Sequence, residues 1–410
     1  MRIIHAHKYF YKRRGAEHYM LDLMNMQEQD GHQVVPFSMQ YPKNLPSAWD
    51  GFFVSEIQTE QGSRNLYQAL KQISRALWSW EAKRKFEKLV DAFNPDIVHA
   101  HNLYTHISPS ILKVCQQRNI PVVMSVHDYA LVSADYALWN PILSTTMSLD
   151  HIGLLQTART KFIKGSYLAT FVLEAITIWH RLWGSYQKRI DRFFPNSQFM
   201  SDVLVDQGFA KEKMRIMYPF TDLPEYTKYR DEGFVLFLGA LEDYKGVQTL
   251  IKAMKAFPNV NLKIAGTGPY EKKLRALSKN MSNIEFVGFV SGAQREDLMS
   301  KARVCVVPSL WYEPFGLVAV EVMARMTPVI VSDMGGLKEI VEPGVSGEVF
   351  IAGDVESLIE KMKPFVLSAD HAESYAESAR DRALILCDPQ DHYQKMMEEY
   401  KEVIGKNESK

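Results

Sequence analysis

The chain has 410 residues, of which 46% are hydrophobic, and its formal net charge is zero. That length favours two α/β domains over one compact domain, and the composition suffices for two hydrophobic cores. A zero net charge excludes a global field that would recruit nucleic acid, so we expect no nucleic-acid partner. The charge is uneven, however: residues 1–190 hold 21 lysines and arginines against 15 acidic residues, and ten of the twelve histidines. This basic half suits an anionic ligand or membrane surface, although scattered surface charge explains it equally well.

The cysteines and the N-terminus bear on the cellular compartment. Cys115, Cys305 and Cys387 are widely separated and share no metal-ligand spacing, so we interpret them as small apolar residues in a reducing compartment. The N-terminus carries no apolar signal core, and no stretch approaches the roughly 20 apolar residues that span a bilayer. We expect a cytoplasmic protein, and peripheral contact with the inner face of the membrane stays open.

Short apolar, β-rich segments alternate with amphipathic helical patterns along the chain. This alternation is typical of parallel sheets with crossover helices. In the first half it predicts strands over 2–6, 32–37, 96–101, 121–127, 192–195 and 214–218, with helices over 16–30, 68–93 and 108–118.

The interval 133–190 departs from this rhythm. Apolar residues recur there every three to five positions, together with the basic residues Arg159, Lys161, Lys164, Arg181, Lys188 and Arg189. The pattern predicts a basic amphipathic helix or helix pair that meets an anionic membrane. The alternative is a pair of ordinary helices covering the first sheet.

The alternation restarts after a proline-containing polar stretch, which we interpret as a linker over 219–232. Further strands are predicted over 234–239, 261–265, 284–287, 304–307 and 328–332. We therefore predict a doubly wound, Rossmann-like acceptor domain over 1–218 and a similar donor domain over 233–384. A tail helix over about 385–410 packs back on the first domain. The carboxyl ends of the two sheets should face each other across a ligand-binding cleft.

The segment 311–347 carries the most specific signal for chemistry. Glu313 and Glu321 lie eight residues apart and bracket the start of a predicted helix. Gly316 and Leu317 would present free backbone N–H groups to phosphate oxygens there. Glu313 can reach sugar hydroxyls, and Glu321 can accept hydrogen bonds from a ribose diol. Taken alone, the two glutamates are also explained as a helix N-terminal acid and a solvated helix residue.

This segment resembles the Glu-x7-Glu region of the family-four retaining glycosyltransferases, in particular those of bacterial polysaccharide biosynthesis. The similarity continues over 5–20, 31–36, 98–109, 126–129, 194–200, 239–246, 265–269 and 287–290. The resemblance implies a GT-B fold and transfer of a sugar from a UDP- or GDP-sugar, with retention of anomeric configuration and no metal or other cofactor. The implied acceptor is a hydroxyl of a lipid-linked sugar or a growing polysaccharide.

The resemblance also assigns roles to single residues. Lys245 matches a lysine that contacts the donor diphosphate, and His127 matches a histidine beside the transferred sugar. With Glu313 they form the implied catalytic group. The implied donor site is formed by Gly15, Gly268, Val290, Phe315, Gly316, Leu317 and Glu321, and we add Arg14 to it because it directly precedes Gly15 in the donor loop. A lone histidine after a strand is more commonly a packing residue.

Two positions depart from the family pattern. Ala240 stands where the family has an arginine beside the diphosphate, and Arg14 replaces the first of two adjacent glycines in the donor loop. One hypothesis is that Arg14 supplies the missing cation from across the cleft; the alternative is that it points into solvent.

Two other functions remain open at this point. One is a nucleotide-sugar epimerase or hydrolase on the same fold, which would consume its donor without an acceptor. The other is a non-catalytic partner protein, which Ala240 favours.

Overall fold

The computed structural model describes residues 1–57, 66–149, 152–161, 165–226 and 228–408. Its first sheet consists of the parallel strands β1 Arg2–Ala6, β2 Gln33–Phe37, β3 Ile97–Ala100, β4 Val122–Val126 and β7 Arg192–Pro195. Strands β5 Trp139–Asn140 and β6 Thr145–Thr146 form a separate small hairpin. The spatial order is β2–β1–β3–β4–β7. The order reverses between β1 and β3, and ligands bind at the carboxyl ends of strands at such a switch point.

Helices surround this sheet because their apolar faces complete its core. They are α1 Gly15–Gln29, α2 Leu66–Leu77, α3 Trp80–Phe93, α4 Ser110–Gln117, α5 Leu154–Arg159, α6 Tyr167–Trp183 and α7 Gln198–Asp206. Gly31, at φ +79°, follows α1 in the left-handed conformation that ends many helices.

The second sheet is also parallel and has six strands. Its strands are β8 Phe234–Leu238, β9 Asn261–Ala265, β10 Ile284–Gly288, β11 Val304–Val307, β12 Val329–Ser332 and β13 Gly347–Phe350, and its helices are α8 Val247–Ala253, α9 Glu271–Leu277, α10 Gly292–Lys301, α11 Leu317–Met323, α12 Leu337–Ile340 and α13 Val355–Leu367. The order β10–β9–β8–β11–β12–β13 places the switch point between β8 and β11. The predicted class, two doubly wound α/β sheets, is confirmed.

The chain ends with α14 Ala369–Glu373, α15 Ala376–Cys387 and α16 Pro389–Glu408. Helix α16 packs on the first sheet, where Met396 and Tyr400 are buried with Ile3 and Ile97. The C-terminal helix thereby belongs to the core of the first domain.

The domains also meet through a carboxylate. Glu339 on α12 accepts hydrogen bonds from the backbone N–H groups of Gln198 at 2.7 Å and Phe199 at 2.8 Å, at the start of α7. A negative charge is favourable at a helix N-terminus, so this contact ties the second domain to the first.

Two sequence-based expectations were wrong, and one strand was missed. The helix over 68–93 is two helices, because Trp78 and Ser79 interrupt it and the Ser79 side chain caps α3. No strand forms over 214–218: Met214 makes an isolated bridge to Phe193. Strand β13 was missed, because only a short apolar segment follows the turn at Gly344.

Candidate active site

Lys245 and Glu313 meet at the switch point of the second sheet. Lys245 ends the turn Asp243–Lys245 after β8, and Glu313 follows β11. Lys245 Nζ lies 2.5 Å from Glu313 Oε1, which also accepts a hydrogen bond from Ser309 Oγ at 2.7 Å. Since Glu313 is only 6% exposed, this ion pair is held firmly where an anionic ligand would enter.

Two aromatic rings hold the same ammonium. Lys245 Nζ lies 5.0 Å from the centre of the Trp311 ring and 5.9 Å from that of Tyr244. Both distances allow attraction between the cation and the ring faces. The cation is therefore positioned before any ligand arrives.

Glycines let the loops around this pair approach one another. At Gly246, φ is +74° and an added Cβ would lie 1.7 Å from the carbonyl oxygen of Pro308. At Gly268 an added Cβ would lie 2.4 Å from the carbonyl oxygen of Leu241. Side chains are sterically excluded at both positions. The primary role of Gly268 is therefore to let the loop after β9 pack against the loop after β8.

Helix α11 carries the second glutamate of the motif. Gly316, at φ +115°, caps this helix, and Leu317 is its first residue. Glu321 lies on α11, where its Oε2 is 2.5 Å from Arg295 Nη2. One carboxylate oxygen is thus paired within the protein.

Two of the implied donor residues are largely buried. Phe315 is 2% exposed and stacks on Tyr218, with ring centres 5.3 Å apart. Val290, which follows β10, is also buried. Both side chains contribute to the core beneath the loops, and Val290 offers a ligand its backbone rather than a free side chain.

On the first domain, His127 lies just beyond the end of β4, beside Asp128 and Lys8. Burial and, to a smaller extent, the Lys8 charge lower the pKa of His127 to about 3. Burial raises the pKa of Asp128, which Lys8 opposes. Burial lowers the pKa of Lys8, and the carboxylates of Asp128 and Glu17 oppose that shift. Charged and neutral polar groups therefore converge at the carboxyl ends of β1 and β4.

The two domains approach each other at the cleft. A Cβ added to Gly15 would lie 4.0 Å from Leu317 Cδ1, so the donor loop faces the start of α11. Trp139 Nε1 donates a hydrogen bond across the cleft to Asp243 Oδ2 at 3.3 Å. The interval 133–190, the part that least resembles the family, thus contacts the turn that carries Lys245.

Arg14 also faces the second domain. Its side chain is exposed and forms a hydrogen bond with Tyr136. Burial raises the pKa of Glu242, and the Arg14 guanidinium opposes that shift. The Arg14 charge therefore acts on the turn after β8.

Sequence reasoning missed four residues at this site. Lys8 and Trp139 contact it from the first domain, and Ser309 and Arg295 bind the two glutamates from the second. Lys8 had a usable signal, because it follows β1 directly. The other three are brought in by folding and have no motif of their own.

A row of buried histidines lies beneath His127. One ring nitrogen from each of His5, His99 and His101 lies within 4.8 Å of the other two, a spacing at which they could coordinate a metal ion. Every ring nitrogen of these three residues is already hydrogen-bonded to a protein group. Their chemistry fits a hydrogen-bonded network better than a metal centre.

Comparisons with known proteins agree with this geometry. Residues 13–225, more than half of the chain, match the family described as Glycosyltransferase Family 4, and residues 221–382 match Glycosyl transferases group 1. An uncharacterized glycosyltransferase of Methanocaldococcus jannaschii is 30% identical over 265 residues, 62% of this chain and 61% of that protein. The chain thus matches about three fifths of that curated relative's length. None of the helices among the described residues has the length and apolarity needed to cross a membrane.

Solved structures show the same fold. Sucrose-phosphate synthase from Thermosynechococcus elongatus superposes with a TM-score of 0.69 and 19% identity, covering 98% of this chain and 99% of that one. The Anabaena protein HepE in complex with UDP-glucose superposes with a TM-score of 0.67 and 18% identity, covering 98% and 100%. With the family matches, these superpositions lead to one conclusion: the chain belongs to glycosyltransferase family 4 and has the GT-B fold.

Proposed function

We propose that this protein transfers a sugar from a UDP- or GDP-sugar to an acceptor hydroxyl, with retention of anomeric configuration. The observation that carries the proposal is the Lys245–Glu313 pair at the switch point of the second sheet. A nucleoside diphosphate leaves with more negative charge than it carries in the donor. A fixed cation in a narrow cleft stabilises that charge without reorganisation.

The residues divide the work between the two domains. Lys245 neutralises the diphosphate, and Glu321 accepts the ribose hydroxyls with the oxygen that Arg295 leaves free. Glu313 orients the ammonium and reaches the sugar, while His127 contacts the sugar from the other wall. The ammonium does the work that a metal ion does in other sugar transferases, so we propose that no metal is required.

A thermal-shift screen over nucleotide sugars tests the donor site. A ligand that binds only the native state raises the unfolding temperature, by an amount that depends on its affinity. We expect one nucleotide sugar to stabilise the wild type, and Lys245→Ala and Glu321→Ala to weaken its binding at least tenfold, which is about 1.4 kcal/mol.

The matched control is Lys361→Ala, which breaks the Lys361–Glu348 ion pair between α13 and the outermost strand. It should bind the donor as the wild type does. Equal donor binding by the wild type and all three variants would show that Lys245 and Glu321 do not form the donor site.

We further propose that the acceptor is lipid-linked and that α6 seats the first domain on an anionic membrane. Polar residues of this helix face the protein, and large apolar residues face outward. Glu174 and His180 are buried against the protein, whereas Leu168, Trp179 and Leu182 are 72%, 50% and 77% exposed. This outward apolar face favours membrane contact over the alternative of an ordinary helix covering the sheet.

Exposed basic residues lie near the ends of the same helices. Arg159 and Lys188 are exposed near the ends of α5 and α6, and Lys161 lies over the Tyr167 ring at 4.3 Å. Lys164, also part of the predicted basic set, lies outside the described residues. Cations near these helix ends, combined with an outward apolar face, suit an anionic bilayer surface, where both attractions act together.

Flotation with phosphatidylglycerol vesicles tests the membrane proposal. The wild type should float at low salt and less at high salt, because salt screens the basic residues. Trp179→Ser with Leu182→Ser should abolish flotation. Ile385→Ser, at a position 69% exposed on α15, is the control and should float normally. If the double variant floats as well as the wild type, α6 is not the contact.

A further inference from the structure

A row of hydrogen-bonded side chains leads from the core of the first domain to His127. His127 Nε2 lies 3.1 Å from His101 Nδ1, and His101 Nε2 lies 3.1 Å from His5 Nδ1. His5 Nε2 lies 2.8 Å from Gln27 Oε1. At the other end of the row, His127 Nδ1 has no hydrogen-bond partner among the described residues. A neutral imidazole has one donor and one acceptor nitrogen, so the direction of the row decides what Nδ1 offers to the cleft.

The direction is fixed at the far end of the network, on helix α16. His392 Nδ1 lies 2.9 Å from the backbone carbonyl oxygen of Tyr218, which can only accept a hydrogen bond. His392 is 4% exposed, and burial lowers its pKa to about 4, so the ring is neutral at pH 7. Nδ1 therefore carries the proton. Nε2 must accept, and it does so from the Tyr19 hydroxyl at 2.9 Å.

The proton on His392 Nδ1 also determines which group donates in the next hydrogen bonds. The Ser125 side chain also interacts with the Tyr19 hydroxyl, and because Tyr19 donates its one proton to His392, Ser125 is the donor between them. The oxygen of Ser125 in turn accepts from His99 Nε2 at 2.8 Å. Burial holds the pKa of His99 well below its usual value, so its Nδ1 is an acceptor and receives the Tyr400 hydroxyl at 2.5 Å.

Gln27 passes the direction on to the histidine row. Tyr400 donates to His99, so its oxygen is free to accept from Gln27 Nε2, at 3.3 Å. That orientation turns Gln27 Oε1, a pure acceptor, toward His5 Nε2. His5 Nε2 must then carry the proton, and its Nδ1 must accept from His101.

We propose that the Tyr218 carbonyl and helix α16, acting through Gln27, hold His127 as the Nε2–H tautomer, so that Nδ1 accepts a hydrogen bond from a hydroxyl group of the bound sugar. The sugar in this statement rests on the proposed function, but the tautomer does not. The opposite direction would place two protons on His392, a buried cation. Gln27 and Tyr400 are thereby positioning residues, and His127 is the group that touches substrate.

Nuclear magnetic resonance of the full-length protein, labelled with ¹⁵N in histidine, tests the proposal. Long-range ¹H–¹⁵N correlations distinguish a protonated ring nitrogen from a bare one, and His127→Asn assigns the signals. The wild type should show a protonated Nε2 and a bare Nδ1 in His127. Wild-type signals from the Nδ1–H tautomer would overturn the proposal.

Two variants and a control separate positioning from general damage. Tyr400→Phe removes the hydroxyl that orients Gln27, and Gln27→Leu removes the amide itself. Each should add the Nδ1–H tautomer of His127 and lower kcat/KM for the donor at least tenfold. Tyr393→Phe removes another α16 hydroxyl, bound to Asp30 Oδ2 at 2.8 Å, and should change neither measurement. Wild-type His127 signals in both test variants would refute the positioning role. The spectra remain decisive if no sugar transfer is found.

Discussion

Buried neutral histidines should make the first domain sensitive to acid, and His392 offers the sharpest test. Burial lowers its pKa from the usual 6.5 to about 4. Between pH 6.5 and pH 4, His392 is therefore protonated in the unfolded chain but neutral in the native state. Its contribution to the free energy of unfolding is fully present above pH 6.5 and is lost as the pH falls toward 4.

The size of the effect follows from the two pKa values. One pKa unit corresponds to about 1.4 kcal/mol, so the full contribution is about 3 kcal/mol. At pH 5 about 2 kcal/mol of it is already lost relative to pH 8. His392→Gln lacks the titrating ring. The stability of the wild type relative to this variant should therefore fall by about 2 kcal/mol between pH 8 and pH 5.

Urea unfolding at the two pH values measures this difference. Other buried groups, including Asp135, whose pKa burial raises to about 7, contribute equally to both proteins and cancel. Ile385→Ser, at an exposed position on α15 and without a group that titrates in this range, is the control and should change the free energy of unfolding by the same amount at both pH values. A pH-independent difference between the wild type and His392→Gln would refute the reasoning.

Two further predictions concern the cleft. Arg14→Ala should lower turnover about tenfold while changing donor binding less, because the guanidinium meets the diphosphate only in the closed cleft, and Ala240→Arg in that background should restore part of the loss. If Arg14→Ala turns over normally and Ala240→Arg alone is faster, Arg14 does not replace the missing cation. Glu339→Ala should open the domains, because hydrogen bonds to a charged group contribute about 1.5–3 kcal/mol each; small-angle scattering should give a larger radius of gyration, and the donor KM should rise. An unchanged radius and KM would show that other contacts hold the domains together.

Strand positions were predictable because a strand buried on both faces is a short apolar run. The two sheets and the loops carrying Lys245 and Glu313 follow from that pattern. Strand β13 escaped because Gly347–Phe350 contains a charged residue and too few apolar ones. The break at Ser79 escaped because the helical pattern continues through it.

The orientation of α6 and the alignment of the histidines depend on tertiary contacts, which the periodicity of apolar residues in the sequence does not predict. An amphipathic helix has two faces, and only the fold reveals that the face with Glu174 is the buried one. His5 and His99 are register partners on adjacent strands, although 94 positions separate them in the chain. An excess of histidines in the first half was visible, but their alignment required the strand order β1–β3–β4.

Sugar transfer itself is the most direct test of the central claim. Purified protein is incubated with nucleotide sugars labelled in the sugar, with and without a lipid extract, and the label is followed into the lipid or glycan fraction. With one nucleotide sugar we expect label in that fraction and release of the nucleoside diphosphate, both lost in Lys245→Ala and retained in Lys361→Ala. Consumption of the nucleotide sugar without any acceptor, or no consumption and no binding of any nucleotide sugar, would contradict the account.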